Sequence, residues 1–382
     1  MQTCDRLRID LAWWTCVAEP EDAYAAALIA ALGPEGAREW AEGTTFRLPP
    51  PELLVPGRNW EETHARWRPR ALEARPEREL ETLAALGGRL LVAGDPEWPS
   101  PLDDLGPATP FALWVLGTPP GSRSVSVVGA RAATASGERS AFDLGAGLAE
   151  AGVPVVSGGA FGIDVAAHRG CRAGGARTLA IMAGGLSSPY PQANLGEFET
   201  ILAEGGALVS EAPCSWRPAK WRFLSRNRLI AAWSGATIVV EASHRSGALA
   251  TARRALELGR GVGAVPGPVT SSASAGCHEL IRNSAVLIRD AADALELLDP
   301  YSRAGQGVLF GEPVERDEGA DALGPGPRRV YEALPKRAST GLSRLVRAAG
   351  LAEREVLAAL AELELRGLVV SDSRGWSRSR SA

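Results

Sequence analysis

Lysine is almost missing from this chain: of 41 basic residues only Lys220 and Lys336 are lysine, the remainder arginine. The shortage excludes a P-loop triphosphatase, because G-x-x-x-x-G-K-[ST] needs a lysine at the phosphates and neither lysine has that context. The arginine bias itself reads as the codon usage of a GC-rich genome. Cysteine is scarce as well, with five residues (Cys4, Cys16, Cys171, Cys214, Cys277), an odd number without a C-x-x-C pair. That excludes a disulfide framework and predicts reduced thiols. These cysteines and the four histidines (His64, His168, His244, His278) show no metal-ligand spacing, so neither metal nor other cofactor is expected. Long apolar runs are also lacking: nothing approaches the roughly 20 residues of a membrane span. Asp5, Arg6, Arg8 and Asp10 interrupt any leader-like apolar stretch, so a soluble, cytoplasmic protein is expected.

A chain of 382 residues exceeds the usual single domain. Its 23% charged and 45% hydrophobic content are those of an ordinary soluble globular protein. A formal net charge of −4 argues against a protein coated in nucleic acid, but leaves room for a local basic groove.

Residues 1–75 read as a helical N-terminal domain, with the Ala-rich run Tyr24–Leu32 stopped by Gly33-Pro34. Within residues 76–298, short apolar runs at Val125–Val128, Val153–Ser157, Arg177–Met182, Ala207–Ser210, Ala236–Glu241, Val262–Val265 and Val286–Ile288 read as strands. Gly137–Glu150, Asp164–Ala173 and Ala248–Leu258 between them read as helices. Buried strands alternating with helices predict an α/β fold with a Rossmann-like, doubly wound parallel sheet. A linker rich in Gly, Pro and acids follows at 299–325. Three short helical segments (Arg328–Leu334, Gly341–Arg347, Ala352–Arg366) and a hairpin from Leu368–Val370 to Arg374-Gly375-Trp376 then predict a winged-helix domain over 326–376. The Ser/Arg tail 377–382 is expected to be disordered.

In such a sheet, ligands bind at the carboxyl ends of the strands. The first strand ends in Gly129-Ala130-Arg131, the second in Ser157-Gly158-Gly159-Ala160-Phe161-Gly162. Glycines between strand and helix can bring backbone amides to a phosphate, and Arg131 beside them suits a phosphate clamp. Generic packing of a Rossmann turn accounts for the glycines equally well. Gly145-Ala146-Gly147 sits inside a predicted helix and is set aside. The run Arg217-Pro-Ala-Lys220-Trp221-Arg222-Phe223-Leu-Ser-Arg226-Asn227-Arg228 interleaves five cations with two aromatics and no acid. Cations neutralise phosphates and ring faces stack on unpaired bases, which is the pattern of a single-strand binder. Lys220 and Phe223, three apart, would share a helix face, with Phe223 stacking and Trp221 turned into the core. Ser246, at the next helix start, adds to the same rim.

The motifs Val127–Gly137, Val156–His168, Gly184-Gly185-Leu186…Tyr190-Pro191…Asn194, Ser210-Glu211, Phe223…Arg226-Asn227-Arg228, Ser246-Gly247…Thr251-Ala252, Pro266-Gly267 and Ser274…Gly276-Cys277…Leu280-Ile281-Arg282 occur in the order and spacing of the DprA (Smf) family. The resemblance covers about residues 90–298. It implies an extended Rossmann fold that binds and protects single-stranded DNA without sequence specificity, forms a homodimer, and promotes loading of the RecA recombinase in natural transformation and recombination. It implies no catalysis. Its DNA-contacting positions fall on Arg131, Lys220, Phe223, Arg226, Asn227 and Arg228. With Gly129, Ser157, Gly158, Gly159 and Ser246 from the loops, these form the expected binding set. The family's C-terminal winged-helix-like domain corresponds to residues 326–376. The chain departs from the family in Gly159-Ala160-Phe161, where a Leu-Ala pair is commoner, and in His278, where Asn is usual.

Two other readings remain on residues alone. One is a nucleotide-processing hydrolase of the lysine-decarboxylase-like group, with Asp164 and His168 as an acid–base pair. The bland account is that Asp164 favours a helix N-terminus and the i,i+4 pair simply hydrogen-bonds. The other is a duplex-DNA regulator acting through the winged helix. Its candidate recognition helix carries Glu353, Glu355, Glu362 and Glu364 against Arg354 and Arg366, which phosphates would repel, so protein contact is expected there instead.

Overall fold

The structure is a computed structural model and describes residues 2–299, 323–335, 339–372 and 375–379. The chain divides into two compact units, Met1–Ala304 and Gly305–Ala382.

The first unit is built on a nine-stranded sheet: β1 (Arg89–Leu91), β2 (Leu113–Gly117), β3 (Val125–Val128), β4 (Val155–Ser157), β5 (Thr178–Met182), β6 (Ala207–Ser210), β7 (Ala236–Val239), β8 (Gly261–Ala264) and β9 (Val286–Leu287). The spatial order is β1-β2-β6-β5-β4-β3-β7-β8-β9. Strands β3 to β9 are parallel, and β1 and β2 extend the β6 edge antiparallel. The seven expected strands are therefore all present. The two edge additions were not legible, because β1 and β2 precede the strand–helix alternation that starts at Val125–Val128 and Ala135–Glu150, so the pattern that exposed the other strands does not reach them.

Helices α5 (Ala135–Glu150), α6 (Ile163–Ala173) and α11 (Ala291–Leu298) cover one face, packing on Val125, Val127, Val155 and Ile238. Helices α8 (Lys220–Trp233), α9 (Gly247–Glu257) and α10 (Ala275–Arg282) cover the other, against Val128, Val156, Leu179 and Val239. Neighbouring strand residues thus feed opposite cores, as the period of two requires. Helix α7 (Leu195–Ala203) packs near β5 and β6. Burial pushes the Cys171 and Cys277 thiols up to about 11, which leaves both protonated and unreactive at neutral pH.

Four helices precede the sheet: α1 (Gln2–Val17), α2 (Ala23–Glu42), α3 (Trp60–Glu73) and α4 (Pro76–Ala85). Their core is a tryptophan cluster, Trp13, Trp14, Trp60 and Trp67, with Trp14 and Trp67 edge to face at 5.2 Å. Gly33-Pro34 stops the first helical run, as expected. Gly33 turns the chain through φ 72° within α2, and Pro34, whose fixed φ suits a first helical turn, starts the second segment.

The second unit contains α12 (Pro325–Ala333), α13 (Leu342–Ala349) and α14 (Glu353–Leu365), followed by antiparallel β10 (Val369–Asp372) and β11 (Gly375–Arg378). Val330, Leu345, Val356, Leu360 and Val369 form its core. Three helices and a wing are as expected. The tail is not: Ser377 and Arg378 pair with Val370 and Val369 in the wing. The Arg378 guanidinium lies 4.5 Å from the Tyr331 ring centroid, which gives this end of the chain a packing partner that a Ser/Arg composition hides. Residues 300–322 of the expected linker, Lys336, Arg374 and residues 380–382 lie outside the described residues. Among the described residues no helix is long and apolar enough to cross a membrane.

Candidate nucleic-acid interface

Strand order reverses at β3, with β4 to β6 on one side and β7 to β9 on the other. At such a switch point the loops leaving the two central strands diverge and open a crevice. Here they are the β3–α5 loop, carrying Gly129 and Arg131, and the β7–α9 loop, ending in Ser246. Helix α8 crosses the crevice from the side. The resulting cavity, about 260 Å³, is lined among others by Arg131, Asp164, Phe223, Arg226, Asn227 and Ser246.

Helix α8 is half core and half surface. Leu229 to Trp233 are buried, and the Ser126 hydroxyl on β3 donates to the Ile230 carbonyl at 2.7 Å. The first turn is outside: Lys220 is exposed, Trp221 is 56% exposed and Leu224 61%. Trp221 is therefore not the core ring that residue spacing suggested. With the far end of α8 buried, its first turn overhangs solvent on more than one face.

Phe223 lines the crevice, partly buried. The Arg131 guanidinium, arriving from the β3 loop, lies 4.8 Å from its ring centroid, and Tyr190 stands edge-on at 6.0 Å. Tyr190 is 47% exposed and was missed as a site residue. Its only signal was the Tyr190-Pro191 motif, because nothing in sequence distance places it beside α8. The β3 loop is pinned by Glu241, which accepts from the Thr134 amide at 2.9 Å and pairs with its hydroxyl at 2.6 Å.

Arg131, Arg217, Lys220 and Arg245 are exposed, and none has an ion-pair partner among the described residues. Arg222 differs, being held by Glu19 at 2.9 Å. Arg226 is buried, and its Nη1 donates to the carbonyls of Gly158 (2.9 Å) and Ile181. Burial lowers the Arg226 pKa to about 10, against the opposing pull of Asp164 and with the help of Arg131, so it remains charged at neutral pH. Its Nε has no partner among the described residues. Asn227 donates to the Gly247 carbonyl at 3.3 Å, tying α8 to the start of α9.

The glycine loops serve packing. A Cβ at Gly129 would come within 2.5 Å of Ile163, and one at Gly158 would occupy the space of the Arg226 guanidinium. The amides of Gly158 and Ala160 already donate to the Asp164 carboxylate, at 3.2 Å each, so they are not available to cradle a phosphate. Burial raises the Asp164 pKa, and Arg226 and the loop amides oppose it. His168 is fully buried and bonded through Nδ1 to Thr178 at 2.7 Å, which removes it from Asp164 and from any cleft.

The sequence profile of the DNA recombination-mediator protein A family matches residues 89–299. The chain belongs to that family. The profile of the DprA winged helix domain matches residues 314–373 of this family member. A Mycobacterium tuberculosis protein named as DNA processing protein DprA is 42% identical over 380 residues, covering 96% of this chain and 92% of its own. Protein Smf of Escherichia coli is 36% identical over 278 residues, covering 72% of this chain and 73% of that protein. The X-ray structure of DNA processing protein A (DprA) from Streptococcus pneumoniae matches 76% of this chain and 96% of its own at 27% identity and a TM-score of 0.60. The resemblance read from the motifs, and the fold class, are thus borne out.

Within this DprA-family fold, Gly129, Arg131, Phe223, Arg226, Asn227 and Ser246 are brought together around the crevice. Lys220 stands on the exposed first turn beside it. Four expected residues, Ser157, Gly158, Gly159 and Arg228, are buried and do not line the crevice. The Ser157 hydroxyl is fully buried and donates to the Val127 carbonyl at 2.6 Å. Gly159 is buried with φ 70°. Arg228, 1% exposed, makes a two-pronged pair with Glu211 at 2.6 and 2.8 Å and donates to the Ala108 carbonyl at 2.9 Å. A run of cations along one helix samples all of its faces, and composition alone does not say which face is inward.

Proposed function

We propose that this chain binds single-stranded DNA without reading its sequence, along the rim formed by the β3 loop and the first turn of α8. The observation that carries the reading is the joining of Arg131 to Phe223 at the switch point, among exposed cations without acidic partners. Arg131, Lys220, Arg217 and Arg245 would neutralise successive phosphates, and Phe223, Trp221 and Tyr190 would offer ring surface to unpaired bases. Arg226 and Asn227 would shape the floor, while Ser157, Gly159 and Arg228 support it from within.

On the family relationship we further propose that the bound strand is protected and passed to RecA during transformation and recombination, that the protein works in the cytoplasm as a homodimer, and that it does so without catalysis. The hydrolase reading loses its acid–base pair, since Asp164 holds loop amides and His168 is sealed in the core. The test is anisotropy of labelled oligothymidylate and of a duplex of equal length, with and without ATP. The reading requires preference for the single strand and indifference to ATP. Equal affinity for both forms, or binding that needs ATP, would overturn it.

A further inference from the structure

The segment carrying Arg217 and Lys220 is held from outside its own domain layer. Helices α1 and α2 are joined by a loop, Ala18–Asp22, that projects two carboxylates onto α8 and α9. Glu19 accepts from Arg222 on α8 (Nε and Nη2, 2.9 Å each) and from Arg70 on α3 (2.6 Å). Both guanidinium groups also lie over the Trp216 ring, at 4.1 Å for Arg222 and 4.9 Å for Arg70. Arg222 Nη1 in turn donates to the Arg217 carbonyl at 2.5 Å. A second anchor acts two residues earlier: Glu79 on α4 accepts from the Ser215 amide at 3.0 Å and bonds its hydroxyl. Glu21 pairs with Arg254 on α9 at 3.2 Å and approaches Arg228 on α8 at 3.8 Å. It does so with φ 63°, a backbone region that side chains rarely occupy and that persists where neighbours over-determine it.

We propose that the N-terminal helical layer positions the DNA-binding rim, with Glu19 as the principal positioning residue and Glu79 as a second anchor. The inference rests on the single-strand reading above and assigns these helices a role in it that requires no DNA contact of their own. The α8 first turn has no side-chain cap, and the Arg222 bond that reaches back from the helix to the Arg217 carbonyl comes from a guanidinium that Glu19 itself holds. Besides these carboxylates the approach of residues 215–219 is held by the Gly185 amide, which donates to the Trp216 carbonyl at 2.7 Å; without the anchors Arg217 and Lys220 keep a looser separation from Arg131. Glu19 stays ionised in this setting: burial alone would raise its pKa, but hydrogen bonds from Arg222 and Arg70 more than offset that and lower it.

The assignment has a sign that proximity alone does not share. Removing a negative charge beside a phosphate-binding rim, and releasing Arg222 from it, should tighten DNA binding and steepen its salt dependence if Glu19 is merely nearby. If Glu19 positions the rim, Glu19→Gln should instead weaken oligothymidylate binding, about 3- to 10-fold, with a shallower salt dependence. Glu79→Gln should weaken it in the same direction by a smaller factor and serves where Glu19→Gln folds poorly. Both are compared with the full chain well below their melting temperatures, where a purely structural role leaves affinity unmoved. Lys220→Ala is run alongside. Weaker binding by Glu19→Gln and by Lys220→Ala supports the inference. Weaker binding by Lys220→Ala alone overturns the positioning role and leaves the rim intact. Unchanged binding by both overturns the rim and the inference together.

Discussion

Arg228→Met separates the two accounts of the basic run most sharply. In sequence Arg228 belongs with Lys220 and Arg226, yet in the fold its side chain is 1% exposed and its donors are spent on Glu211, Ala108 and Ser225. Truncating it leaves Glu211, 8% exposed, as a buried carboxylate without its partner. Breaking a buried ion pair in this way costs about 3–5 kcal/mol. For a folded unit of this size that corresponds to a fall of roughly 5–8 °C in melting temperature. Replacing both partners, Arg228→Met with Glu211→Leu, should recover most of the loss, since an apolar pair of similar volume is often as stable as the ion pair. DNA affinity, measured at a temperature where all proteins are folded, should stay within about twofold, well under the tenfold that 1.4 kcal/mol would give. Differential scanning calorimetry and oligothymidylate anisotropy on the same preparations decide the matter. A variant that melts with the wild type but binds ten times more weakly would refute the reasoning and return Arg228 to the DNA-contacting set.

Phe223→Ala should weaken single-strand binding by roughly 1–3 kcal/mol, the worth of one stacked base, with the salt slope unchanged. Trp221→Ala should leave the melting temperature within a few degrees, because the ring is 56% exposed, and a large destabilisation in calorimetry would show that it is packed after all. Gly158→Ala places a methyl where the Arg226 guanidinium lies and should cost about 1–3 kcal/mol in urea unfolding. The fourth concerns pH: burial holds His168 at a pKa of about 3, against 6.5 unfolded, so the folded state binds fewer protons. Its stabilising share is then full above pH 6.5 and is lost as pH falls towards 3, by about 2–3 kcal/mol at pH 4.5. His168→Asn, less stable at neutral pH, should show a correspondingly flatter loss of stability between pH 6.5 and 4.5.

Much of the site was legible because its parts announce themselves by chemistry at strand ends. Arg131 and Ser246 were found from loop position and residue type, Phe223 from its place among the cations of the basic run, and the parallel sheet followed from buried runs alternating with helices. What was not legible depends on which way a side chain turns. Helix α8 begins at the surface and ends in the core, so the inward or outward character of Trp221 and Arg228 is set by sheet and N-terminal packing rather than by local spacing. The glycines of the second loop looked equally suited to a phosphate or to close packing, and only the positions of Asp164 and Arg226 decide for packing. Tyr190 and the Glu19 and Glu79 anchors come from residues far apart in sequence, where no period or motif length connects them.

The most direct test of the account is the salt dependence of oligothymidylate binding for the wild type, Arg131→Ala and Lys220→Ala. Each lost phosphate contact on a single strand lowers the magnitude of the log–log slope by roughly 0.7. The account predicts that reduction in both variants, with weaker binding whatever the oligonucleotide sequence. Slopes equal to that of the wild type in both variants would contradict it.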